Sequence, residues 1–103
     1  MIIEILHVPE CPHLTPAVEM VRRVLAAERL SAEIRTMLIT DESGAQRERF
    51  PGSPTIRVDG RDVDPEGAGA ISLSCRLYPG SAHPGLPAEE TVRRALRAGA
   101  ERQ

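Results

Sequence analysis

The chain has no tryptophan and no lysine, and Phe50 and Tyr78 are its only aromatic residues. So few aromatics provide no platform for stacking unpaired bases, which argues against recognition of single-stranded nucleic acid. All 13 basic residues are arginines, mixed along the chain with 15 acidic residues to a net charge of −2. No basic arm or stripe is left to bind a polyanion, so nucleic acid is not an expected partner. Long apolar runs are missing too: Glu4 interrupts the opening hydrophobics, and nothing reaches the roughly 20 residues of a membrane helix. With no basic leader ahead of that stretch, the expectation is a soluble, cytoplasmic protein without a membrane partner. Cysteine is scarce, at Cys11 and Cys75 only. In a reducing compartment two such thiols read as reactive, redox-cycling or metal-binding, not as a permanent staple.

What remains is enough for one domain, residues 1–103, whose core must come from Ile, Leu, Val, Met and Ala. Met1 to Val8 is nearly continuous in apolar residues and reads as a central strand covered on both faces. From Thr15 to Arg29 the period becomes helical, with Ala17, Val18, Met20, Val21, Val24 and Leu25 on one face. Its start is ambiguous, because Thr15-Pro16 and Cys11-Pro12 both fit a cap followed by a first-turn proline. Ala32 to Ile39 reads as a second strand, and Thr40-Asp41 can cap a short helix to about Arg49, anchored by Phe50. Thr55 to Val58 is a third strand, turned by Asp59-Gly60 into a return strand at Arg61 to Val63. After a Gly/Ala-rich loop, Ile71 to Tyr78 reads as extended chain, and Pro79 to Leu86 as a second loop. Pro87 to Ala98 is a helix with Glu89–Arg93 and Glu90–Arg94 pairs and Gly99 as its C-cap. The order is βαβ–α–ββ–α: an α/β fold with a four-stranded mixed sheet, its first βαβ unit parallel and right-handed, covered by helices on both faces.

Cys11 is the most informative residue. A cysteine at a strand–helix junction is placed where free N–H groups and the helix dipole favour the thiolate. Pro12 and His13 follow it directly, and Gly52-Ser53-Pro54-Thr55 leads into the third strand.

This combination resembles the thioredoxin-like superfamily. Cys11-Pro12-His13 looks like the start of the Cys-Pro-His-Cys motif of periplasmic disulfide oxidants, and Ser53-Pro54 sits where the family carries its cis-proline. With Val58-Asp59-Gly60 and Ser74-Cys75-Arg76-Leu77-Tyr78 added, the chain looks closer to a group of small bacterial thioredoxin-like proteins sometimes labelled alkylmercury lyase. The resemblance implies a thioredoxin-like fold over nearly the whole chain. It also implies a cis Ser53–Pro54 bond that exposes the backbone of Ser53 to a substrate near Cys11, with Pro12, Ser53 and Pro54 as substrate-binding residues. One departure stands out: Leu14 occupies the place of the second motif cysteine, so a Cys-x-x-Cys cycle is impossible.

Cys75 is then the sole internal candidate for a resolving thiol, which requires Cα atoms within roughly 7 Å of those of Cys11. The bland alternative is a buried strand cysteine between Leu73 and Leu77. His13 can stabilise the thiolate or shuttle its proton, or it is a solvent-facing turn residue. His7 reads as a structural strand residue, and His83 has no evident partner. Arg76 reads as solvated, and Tyr78 as a partly buried residue with a satisfied hydroxyl.

The leading reading is a thiol–disulfide protein with Cys11 as nucleophile and Cys75 or an external thiol as resolver, needing no cofactor. Its partner would be a thiol- or disulfide-bearing protein or small molecule. The alternatives are a thiolate carrier for a soft metal or organomercurial, and a redox-inactive interaction module. The oligomeric state is open, although an edge strand could pair between subunits.

Overall fold

Alternation along the first strand decides the architecture. In the computed structural model, which describes residues 1–103, β1 (Ile2–His7) sends Ile3 and Ile5 to one face of the sheet and Leu6 to the other, all buried. A strand with apolar residues on both faces must lie inside the sheet and be covered twice. The observed order is β2-β1-β3-β4. β2 (Glu33–Leu38) runs parallel to β1, while β3 (Thr55–Val58) and the short β4 (Arg61–Asp62) add antiparallel. The α/β class and the mixed four-stranded sheet are therefore those read from the sequence.

The larger core lies between the sheet and two helices, α1 (Leu14–Glu28) and α3 (Glu89–Glu101). Ala17, Val21 and Val24 meet Ile3, Ile5, Ile56 and Val58 there, joined by Val92 and Leu96. Glu28 ties the two helices together on the outside by accepting from Arg97 at 2.5 Å, and Arg93 approaches it at 3.3 Å. Hydrogen bonding from Arg97 holds the Glu28 carboxyl below its usual range. α2 (Glu42–Glu48) covers the opposite face, where Ala45 and Phe50 close on Leu6 and Ile39. Its N-cap works as the sequence suggests, the Asp41 carboxylate accepting from Gly44 N at 2.8 Å. Asp59 and Gly60, with φ of 50° and 83°, make the tight turn between β3 and β4.

Three expectations need correction. α1 begins at Leu14, after His13, so Cys11 lies two residues outside the helix cap. Pro16 is then the third helical residue, where no intrahelical N–H is required, and it distorts nothing. α3 runs past Gly99 to Glu101, so Gly99 is not a cap. It is buried, and a Cβ there would lie 2.7 Å from Val58 Cγ1 and 2.8 Å from Met1 Sδ. The glycine lets α3 approach β3 closely, and Gly99→Ala should lower the unfolding free energy by about 1–3 kcal/mol through overpacking. A urea titration of the variant measures this, and a stability equal to the parent would show that α3 shifts freely. Finally, the Glu90–Arg94 pair is absent, because Glu90 takes Arg93 one position earlier at 2.8 Å.

Candidate functional site

The chain leaves β1 through a tight turn. Glu10 has φ of 59°, and the carbonyl of Cys11 accepts from Leu14 N at 3.3 Å, so Cys11 opens the turn that leads into α1. Cys11 is partly buried, Pro12 is exposed, and both cysteines are free thiols.

His13 does not point into solvent. A Cβ on Gly85 would come within 2.5 Å of its ring, so glycine at that position lets the 79–87 loop close over the first turn of α1. The His83 ring meets His13 edge-on at 5.3 Å, which gives His83 the packing partner that its loop position did not suggest. The Nδ1 of His13 is buried without a hydrogen-bond partner, so this nitrogen makes no bond to the Cys11 sulfur. His7 directs Nδ1 toward the Val8 carbonyl at 3.1 Å, in keeping with a structural role.

Ser53 is the hub of the region. It is fully buried and precedes a cis peptide bond to Pro54, the isomer expected there. Its Oγ accepts from Val8 N at 3.1 Å, which fastens it to the end of β1 three residues before Cys11. Its N–H donates to Ser74 O and its carbonyl accepts from Arg76 N, both at 2.9 Å, forming an isolated parallel bridge with Cys75. The backbone of Ser53 is therefore committed within the chain. This corrects the expectation that it is left open to a substrate, and Pro54 is buried as well.

Segment 72–78 lies along this edge as a strap with its polarity inverted. Arg76 and Tyr78 are buried, while Leu73, Cys75 and Leu77 are exposed, Leu77 by 67%. Both the buried strand cysteine and the solvated arginine are thus overturned. Hydrogen bonds hold the strap that way. Arg76 Nη1 donates to Asp62 at 2.7 Å and to Thr55 Oγ1 at 3.2 Å, and Nη2 donates to Asp64 O at 2.8 Å. The guanidinium also lies 4.6 Å from the centre of the Tyr78 ring. Tyr78 donates its hydroxyl to Pro54 O at 2.5 Å, and burial raises its pKa well above the ordinary tyrosine range, keeping the hydroxyl protonated. Cys11 is close enough to add to that shift, which puts it in the electrostatic neighbourhood of the strap.

Gly52 permits the junction. With φ of +125°, it brings Arg76 Cα and Ser74 O within 3.1 Å of where a Cβ would stand. The structure thus ties Ser53 both to Val8, three residues before Cys11, and to the strap that carries Cys75, while His13 packs against Gly85 and His83 of the following loop. Sequence reasoning did not anticipate Asp62, Arg76 and His83 in their observed roles. No group of three or more His, Cys, Asp or Glu side chains is arranged to hold a metal ion.

Comparison of the chain with family models, with curated proteins and with solved structures finds no match.

Proposed function

We propose that this chain is a thioredoxin-like thiol–disulfide protein in which Cys11 attacks and Cys75 resolves. One observation carries the reading: Ser53 is hydrogen-bonded on one side to the strand end that leads into Cys11 and on the other to the strap that carries Cys75. Further support comes from the partial exposure of Cys11 and the exposure of Cys75, since thiol exchange requires access to sulfur.

The substrate class is a small disulfide. An extended polypeptide would need the Ser53 backbone groups as partners, and the strap already occupies them. In the first step the Cys11 thiolate attacks one sulfur of the small disulfide, forming a mixed disulfide and expelling one substrate thiolate. The Cys75 thiolate then attacks the Cys11 sulfur, releases the second substrate thiolate and leaves a Cys11–Cys75 bond. The substrate disulfide gains two electrons and the protein dithiol loses them, and an external dithiol restores the reduced protein.

The test is a reaction of the reduced chain with a small aromatic disulfide, followed by intact mass and peptide mapping. The expected product has lost two hydrogens and contains a Cys11–Cys75 linked peptide pair. A chain whose thiols both remain free under those conditions would sink the proposal.

A further inference from the structure

The sheet ends in two very different edges. β4 contributes only two residues, but β2 runs six residues with nothing beyond it. Glu33 and Ile39 donate to the Met1 and His7 carbonyls of β1, so by alternation the odd residues of β2 bond inward. The N–H and C=O groups of Ile34 and Thr36 therefore face away from the sheet. β2 carries no proline or bulge, two of the devices that keep an edge unpaired, and its charges are of both signs.

We propose that the edge is an interface with a second copy of this chain, formed by antiparallel pairing of β2 with β2 about a two-fold axis at Ile34. Side-chain charge selects the register. Glu33 and Arg35 share the face that α2 covers, are both more than half exposed, and pair with each other within the single chain, so association would exchange that exposed contact for pairs across the axis. Centring the pair on Ile34 sets each Glu33 opposite Arg35 of the other copy, in the close, non-hydrogen-bonded type of cross-strand position. A shift of two residues in one direction puts Arg35 against Arg35, and a shift in the other puts Glu33 against Glu33. The chosen register also continues a pattern already in the sheet. Arg57, Glu4 and Arg35 lie side by side across β3, β1 and β2, and Glu33 of the second copy extends this row with alternating sign.

The opposite face agrees. Leu30, Ala32 and Ile34 pack on the edge of the larger core and line an open groove of about 500 Å³ beside α1. Leu38, 53% exposed in the single chain, is carried toward Leu30 of the second copy by the same register. Two Ile34 side chains meet on the axis. The contact is isologous, so it closes at two copies and does not propagate.

The experiment is sedimentation equilibrium from low to several hundred micromolar protein, with wild type, Glu33→Arg and Arg35→Glu. Wild type should dimerise reversibly. Each variant sets like charges opposite at both positions and should weaken the dimer by about tenfold or more. Mixing the two variants restores opposite charges at both positions, so the mixture should recover wild-type affinity as a heterodimer. That recovery also shows that both variants are folded. A wild-type chain that stays monomeric, a dimer indifferent to both substitutions, or a mixture that fails to recover would each overturn the proposal.

Discussion

Replacing Arg76 with leucine is expected to remove about 3–5 kcal/mol of unfolding free energy, the range found when one member of a buried ion pair is deleted. Only 3% of Arg76 is exposed, and its two terminal nitrogens satisfy Asp62, Thr55 and the Asp64 carbonyl. Leucine would fill much of the volume but would leave the Asp62 carboxylate and that carbonyl facing an apolar side chain. The penalty comes from these stranded acceptors more than from the lost attraction. A domain of this size has a total stability of about 5–15 kcal/mol, so the variant would lie near the edge of folding. Arg76→Lys should recover only part of the loss, because an ammonium cannot fork between a carboxylate and a carbonyl as the guanidinium does. Removing Asp62 together with Arg76 should cost less than removing Arg76 alone. Urea titrations of the single and double variants measure these differences, and a loss under about 1 kcal/mol for Arg76→Leu would show that the pair is not a determinant of stability.

Arg76 also marks where the sequence stops being readable. Elements governed by neighbours in the chain were legible. The apolar run of β1, the Asp41 cap of α2 and the Asp59-Gly60 turn all form where their residues suggest. The cis bond at Pro54 was expected from the family resemblance and not from its neighbours, since an X–Pro bond is seldom cis, and the start of α1 was ambiguous between two proline-containing caps. Segment 71–78 was not legible, because hydropathy alone would bury Leu73 and Leu77 and expose Arg76. The observed orientation depends on Asp62, 14 residues earlier, and on Ser53, which accepts from Arg76 N. Nothing local to Arg76 announces either partner. Gly99 failed for a related reason. A glycine near a helix end reads as a cap, and only the closeness of Val58 and Met1 shows that it serves packing. Sequence therefore located the thiols, while long-range hydrogen bonds determine what surrounds them.

The same strap gives the sharpest test of the division of labour between the two cysteines. Cys75→Ser should arrest the reaction with a small disulfide at its first step, leaving nearly all protein as a stable adduct on Cys11. The serine hydroxyl cannot attack the mixed disulfide at neutral pH, so release must wait for an external thiol. Cys11→Ser should remove the first step and reduce capture to the level of an ordinary exposed thiol at Cys75. Intact mass spectrometry at short times distinguishes the two variants by the presence of the adduct. Exposure makes this comparison demanding, because Cys75 is the more exposed residue of the pair. If access alone governed reactivity, Cys75 would capture the disulfide first, and Cys11→Ser would react as fast as wild type. That outcome would reverse the assigned roles. Faster capture by Cys11, despite its partial burial, would mean that the junction between β1 and α1 activates its sulfur.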